Sequence, residues 1–143
     1  MSRLPAIVVY PDGLRGAGGA SAWQGAPYAS PAADDIAFTR AILREVRARY
    51  CVDDDRTYAV GRSNGAGFVS MLSCVMSGDF AAFGTVSGAF YDSGERRCAQ
   101  PKPLSLINFH GTADDVIHYA GGVRHGGRYQ GVDAWLDRRV QIN

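Results

Sequence analysis

Gly-x-Ser-x-Gly occupies positions 61 to 65 as Gly61-Arg62-Ser63-Asn64-Gly65, and its flanks make it more than a run of small residues. Thr57-Tyr58-Ala59-Val60 is β-prone and delivers the chain into the motif, while Phe68-Val69-Ser70-Met71-Leu72 is apolar and helix-compatible and carries it away. A serine between a strand and a helix at this spacing is a nucleophile elbow. The turn is so tight that the positions two before and two after the serine, Gly61 and Gly65, must be small, and Ser63 is forced into a strained conformation with its hydroxyl at the top of a sheet. Asn64 N–H, the first amide of the helix, then points to where negative charge would develop on an attacked carbonyl. The chemistry is acyl transfer by a serine nucleophile.

A second strand end offers the acid. Leu104-Ser105-Leu106-Ile107-Asn108-Phe109 reads as a strand, and it runs into His110-Gly111-Thr112-Ala113-Asp114-Asp115. In a parallel sheet, reactive groups gather at the carboxyl ends of strands, which is where both Ser63 and Asp114 fall. Asp114 would hold an imidazole in the correct tautomer and stabilise the imidazolium formed when Ser63 gives up its proton. An aspartate in such a loop also caps turns, but with an elbow upstream the catalytic role is favoured, and Asp114 is preferred to Asp115. The three histidines, His110, His118 and His125, read as local packing or loop residues, and none completes a triad convincingly.

The elements that must position these groups alternate. Ala6-Ile7-Val8-Val9-Tyr10 is a β-branched run with no polar alternation, and it predicts a strand buried on both faces. The stretch from Gly13 to Pro31 is a long Gly/Ala/Ser/Pro-rich loop; Trp23, Gln24 and Tyr28 within it suggest an ordered loop over a site, with Trp23 and Gln24 as candidate substrate contacts. Composition alone fits a plain irregular connection equally well. Asp34 or Asp35 caps a helix to about Tyr50, with Phe38, Ile42 and Val46 on one stripe beside Leu43 and Tyr50. The helix opened by Asn64 ends near Gly78, Phe83 to Ser87 is a strand, Tyr91 to Pro103 is a polar loop, and Val132 to about Val140 is a last helix. The pattern implies a mostly parallel α/β sheet flanked by helices with right-handed crossovers.

Composition bounds the function classes. A chain of 143 residues, 46% hydrophobic and 20% charged, is an ordinary single globular domain. A net charge of +1, with arginines scattered or on one helix face, argues against a nucleic-acid or membrane-surface partner. No apolar run approaches membrane-spanning length, and Met1 to Pro5 has no signal-peptide shape.

Val9-Tyr10-Pro11-Asp12-Gly13-Leu14, Ser21-Ala22-Trp23-Gln24-Gly25, Asp34-Asp35-Ile36-Ala37-Phe38, Tyr58 to Gly65 and Phe109-His110-Gly111-Thr112-Ala113-Asp114 together resemble the feruloyl esterase, polyhydroxybutyrate depolymerase and acetylxylan esterase family of α/β-hydrolases. The resemblance is greatest to secreted fungal feruloyl esterases and covers nearly the whole chain. It implies Ser63 as nucleophile, Asp114 as acid, no cofactor or metal, secretion, and ester substrates on plant cell-wall polysaccharide. The family's catalytic histidine follows a later strand, and its second oxyanion amide comes from an upstream His-Gly loop. Neither has a counterpart here, so the chain resembles the middle of an incomplete catalytic domain. The rival readings are an acetylxylan esterase or polyhydroxybutyrate depolymerase and, in another class, an inactive truncated remnant or pseudoenzyme. A peptidase is disfavoured, because nothing resembles a peptide-binding element. Cys51, Cys74 and Cys98 are odd in number and should fall toward the face opposite the site, which suits a structural disulfide of unassigned pairing.

Overall fold

The structure, a computed structural model, describes residues 6–95 and 103–141. Three parallel strands, β1 (Tyr58–Arg62), β2 (Ala82–Val86) and β3 (Ser105–Phe109), lie in that order, with Val60, Gly84 and Ile107 in register. Their carboxyl ends share one edge, as the α/β pattern predicts. Helix α1 (Asp35–Arg49) precedes the sheet and α2 (Asn64–Val75) crosses from β1 to β2. A short helix, α3 (Asp92–Glu95), a hairpin of β4 (Gly122–Arg124) and β5 (Gly127–Tyr129), and α4 (Val132–Val140) complete the described elements.

Helix α2 is apolar almost all round because it is covered on several sides. Phe68, Val69, Met71, Leu72 and Met76 form one core with Ala59 and Phe83 of the sheet, and Ile36, Leu43 and Leu106 pack against it. A side chain at Gly67 would press its Cβ to 2.6 Å from the Ala89 carbonyl oxygen, so a glycine is what lets the segment after β2 cross this closely. Asp34 caps α1 by accepting from Ala37 N–H at 3.0 Å, while Arg47 and Arg49 sit in the last turn, where the helix dipole favours cations.

A buried polar cluster fastens α4. Trp135 is stacked on Phe90 at 3.7 Å between centroids, and its indole N–H donates to Ser70 Oγ at 2.9 Å. Arg139 Nη2 donates to Ser70 Oγ at 2.7 Å and to Glu95 Oε2 at 2.6 Å, and Ser70 donates its own proton to Glu95 Oε1 at 2.6 Å. The Ser70 hydroxyl thus uses its one donor and both lone pairs. These bonds tie α2, α3 and α4 into one unit.

Two expectations need correction, and one element was missed. Ala6 to Tyr10 is not a strand: the run pairs with nothing among the described residues, and Ile7, Val8, Val9 and Tyr10 are 51%, 64%, 45% and 89% exposed. β-Branched composition supplies propensity, but a strand exists only where a neighbour accepts its ladder. On α1, the side facing the core is marked by Ile36 and Leu43, whereas Phe38 and Tyr50 of the expected stripe are exposed. The hairpin was not anticipated, although its signal is present. His125 and Gly126 both take positive φ, 52° and 75°, as a two-residue primed turn requires, and X-Gly is the dipeptide that supplies it.

One face of the sheet is apolar and open, with Tyr58, Val60, Ile107 and Phe109 all more than half exposed. No helix among the described residues is long and apolar enough to cross a membrane. Cys51 is exposed and free, Cys74 is buried and disulfide-bonded, and Cys98 lies outside the described residues. Cys74 is on the penultimate residue of α2, away from Ser63, as expected.

Arg139→Ala should destabilise the fold by about 3–5 kcal/mol, because it strands the Glu95 carboxylate in a buried site. Urea unfolding followed by circular dichroism measures this; a loss below about 1 kcal/mol would show that the cluster does not hold α4.

Candidate active site

Ser63 lies between the last residue of β1 and the first of α2 with φ 54° and ψ −119°. Few non-glycine residues adopt positive φ, and the cost is of order 1–3 kcal/mol. The cause is the tightness of the turn. Ser63 N–H donates to Val86 O at 2.9 Å, which holds the residue to the sheet, while Ser63 O already accepts from Ala66 and Gly67 at 3.1 Å, which starts the helix. No backbone length remains to relax. A Cβ on Gly61 would collide with the Gly65 carbonyl group and come within 2.8 Å of Ala66 N. The steric demand is therefore on Gly61 alone, contrary to the expectation for both glycines: a Cβ on Gly65 would stand 3.8 Å from the Trp23 ring. The serine is exposed, and its hydroxyl makes no hydrogen bond among the described residues.

Asn64 does two things. Its amide N–H, the first of α2, has no acceptor within the helix. Its side chain clamps the loop above: Trp23 N–H donates to Asn64 Oδ1 at 2.6 Å, and Asn64 Nδ2 donates to Trp23 O at 3.3 Å. The Trp23 ring stacks on Phe68 of α2 at 5.2 Å. The next residue, Gln24, donates its backbone N–H to Asp35 Oδ2 at 2.6 Å, and Asp35 is buried at the start of α1. The loop from Gly13 to Pro31 is thus ordered at its middle, with Trp23 half-buried as a brace on the elbow helix.

The aspartate is two strands from Ser63 at the same edge. Ser87 N–H bonds Phe109 O at 2.8 Å, so the ladder runs one residue past the strand ends and sets Ser63, Ser87 and His110 side by side. At the usual strand spacing the outer two backbones are roughly 10 Å apart. Asp114 Oδ1 accepts from Val116 N–H and from Ile117 N–H, both at 2.9 Å. These amides, Ile117 first and Val116 next, hold the Asp114 carboxyl below its ordinary 3.8, with smaller help from His110 and the Ser87 hydroxyl. Asp115 is exposed.

None of the three histidines bridges Ser63 and Asp114. His110 is enclosed, with its side chain 1% exposed, and Nε2 is 2.8 Å from Ile117 O and 3.6 Å from Asp114 Oδ2. A carbonyl only accepts, so Nε2 carries the proton and the ring braces the acid loop. His118 is in the exposed turn after that loop and its backbone N–H bonds Tyr129 OH at 3.1 Å. His125 forms the hairpin tip, edge-on to Tyr28 at 4.7 Å. Among the described residues there is no group of three His, Cys, Asp or Glu side chains placed to hold a metal. Sequence reasoning missed the Asn64 clamp, the Asp35 tether and the positive φ of Ser87, 45°. Asn64 and Asp35 carry the right side chains for those bonds, but only the fold says what they reach.

No family model matches the chain. A feruloyl esterase B of Piromyces equi is 35% identical over 122 residues, which is 82% of this chain and 22% of that protein. The chain is feruloyl esterase-like over most of its length. A probable feruloyl esterase C of Aspergillus niger is 30% identical over 88% of the chain and 42% of its own length. A bifunctional acetylxylan esterase/xylanase of Neocallimastix patriciarum is 30% identical over 79% of the chain and 15% of its own length. The chain therefore spans less than half of the length of each of these relatives.

Gly61→Ala should cost about 3 kcal/mol or more, or prevent folding, because backbone rather than a flexible side chain must move. Gly65→Ala should be neutral or stabilising by up to about 1 kcal/mol, since alanine is the better helix former. Thermal melts of both variants check the pair, and equal losses would place the constraint elsewhere.

Asp114 should titrate below the ordinary carboxylate range. Its depressed folded value means that its contribution to stability is present above the unfolded pKa, near 4, and is lost as pH falls through the folded pKa. Carboxyl carbon shifts followed by NMR from pH 6 down to pH 2 test the sign; a midpoint above 4 would contradict the amide contacts.

Proposed function

We propose that the chain carries the nucleophile, acid and one oxyanion donor of a secreted serine carboxylesterase acting on feruloyl (hydroxycinnamoyl) esters of plant cell-wall polysaccharide. The observation that carries this reading is Ser63 at positive φ between β1 and α2, beside an unspent Asn64 amide and on the same sheet edge as Asp114. The relatives' names, feruloyl esterase and acetylxylan esterase, support the substrate class. Acetylxylan esterase is the closest alternative, since one matched relative carries that activity in its name.

In this mechanism Ser63 Oγ attacks the ester carbonyl carbon while a histidine removes its proton. The negative charge passes to the carbonyl oxygen, which Asn64 N–H stabilises. The tetrahedral intermediate expels the alcohol, which takes the proton back from the imidazolium, and leaves an acyl-Ser63. Water then attacks with the same base and releases the acid. Asp114, held ionised by two amides, orients the imidazole and stabilises its charged form. The base and second oxyanion donor belong, in this reading, to parts of the enzyme outside these 143 residues. Without the base, Ser63 stays a neutral alcohol of high pKa, and the chain by itself does not turn over.

The test is to assay the 143-residue chain, and a version extended at both ends by its flanking gene sequence, on methyl ferulate and on a short-chain nitrophenyl ester. The extended enzyme should hydrolyse both, with Ser63→Ala lowering kcat by about four orders of magnitude or more. The short chain should equal its own Ser63→Ala control. Ser63-dependent turnover by the short chain would overturn the absent base, and an inert extended enzyme would overturn the esterase reading in favour of a non-catalytic remnant.

A further inference from the structure

Three non-glycine residues among those described hold a positive φ, and two of them are already accounted for: Ser63 by the elbow and His125 by the hairpin turn. The third is Ser87, at 45°. It follows the last residue of β2, the middle strand, so at the carboxyl edge it stands between Ser63 and the segment that leads through His110 to Asp114.

The conformation of Ser87 is imposed from both sides. Its N–H is bonded to Phe109 O at 2.8 Å, which continues the ladder past the strand. Directly after it, Gly88 runs so close to α2 that a Cβ there would lie 2.6 Å from the Phe90 ring and 3.0 Å from Ala66 Cβ. Ala89 and Phe90 are buried, and the Phe90 ring is stacked on Trp135. The chain must leave the ladder and drop against the first turn of α2 within one residue, and Ser87 takes that turn. Backbone strain of this kind persists only where the surroundings over-determine it. Glycine would adopt the same φ without the penalty. What serine adds over glycine is a hydroxymethyl group.

That group has a use at this edge. Phe83 and Thr85 of β2 are buried on the covered side, and strict alternation would send residue 87 after them. The positive φ ends the alternation. The Ser87 hydroxyl reaches the Asp114 carboxyl, where it joins Ile117 N–H, Val116 N–H and His110 in favouring the charged form. The two carboxylate oxygens are otherwise held unequally. Oδ1 takes both amides at 2.9 Å, whereas Oδ2 has His110 Nε2 at 3.6 Å, beyond hydrogen-bond reach. A carboxylate fastened through one oxygen can still turn about its Cβ–Cγ bond, because that torsion has broad wells. The esterase reading needs this freedom removed, since an imidazole N–H must meet the acid in one plane.

We infer that Ser87 is a positioning residue, whose hydroxyl, aimed at the acid by the strained end of β2, sets the plane of the Asp114 carboxylate for the imidazole. The role in turnover rests on the esterase reading above; the orientation of Asp114 by Ser87 does not.

The experiment compares Ser87→Gly and Ser87→Ala with the parent in two settings. In the 143-residue chain, thermal melts report the backbone and the carboxyl carbon shift of Asp114 reports the contact. Ser87→Gly should melt at or above the parent temperature, because glycine accepts the φ, yet both variants should move the Asp114 midpoint upward. In the enzyme extended at both ends, both variants should lower kcat on methyl ferulate about tenfold, as for one weakened hydrogen bond to a charged group, with KM within about twofold of the parent. A serine kept only for its packing would show the opposite pattern, a lowered melting temperature with midpoint and kcat unmoved, and that result would overturn the assignment. An unchanged kcat in Ser87→Gly would do the same, while leaving the esterase reading intact. If the extended parent is inert, the esterase reading falls, and the Asp114 midpoint decides by itself whether Ser87 orients the carboxylate.

Discussion

The constraint on which the rest depends is the turn between β1 and α2. A strand ladder that still holds Ser63 N–H and a helix that already uses Ser63 O leave one residue to reverse the chain, and Ser63 takes the strain. That residue stays strained only because both sides are fixed. β1 is locked in register to β2, and α2 is buried along most of its length against the sheet, the segment after β2 and α4. The Ser70–Glu95–Arg139–Trp135 cluster, though far along the helix from the elbow, belongs to the same argument. It holds the far half of α2 in place, so the strain cannot relax by rotating the helix.

From the elbow, order passes outward through single polar side chains. Asn64 binds both backbone groups of Trp23, and Asp35 binds the amide of Gln24. Two side chains thereby turn a long loop, free in composition to wander, into an ordered wall beside the elbow. On the other side of the sheet edge, the acid loop is closed by a comparable device. His110 bonds Ile117 O while Asp114 takes two amides, one of them from Ile117 itself. Imidazole and carboxylate grip the same peptide segment from two directions, which fixes the carboxylate without consuming Oδ2 in a backbone bond.

The unsatisfied surfaces have one physical origin. Parallel sheets are stable when both faces are covered and when edge strands are paired or protected. Here α1 and α2 serve the same face, and the opposite face presents Tyr58, Val60, Ile107 and Phe109 to solvent. The apolar run from Ile7 to Tyr10 is exposed for the same reason, because no strand among the described residues accepts it.

The sequence by itself determined the elements whose signal is local. Gly-x-Ser-x-Gly between a β-prone run and an apolar run defined β1, the turn and α2, because the steric demand at Gly61 comes from atoms within five residues. Asp34-Asp35 marked the start of α1, and alternating elements gave a parallel sheet that put Ser63 and Asp114 on one edge. Tertiary structure decided what depends on partners distant in the chain. Ala6 to Tyr10 has the composition of a strand and no ladder among the described residues, Phe38 has the spacing of a core residue and faces outward, and Asn64 and Asp35 read as helix-start residues but hold a loop 41 and 11 positions away. Propensity is a property of a few consecutive residues, whereas hydrogen-bond partners and burial are set by whatever the fold brings alongside.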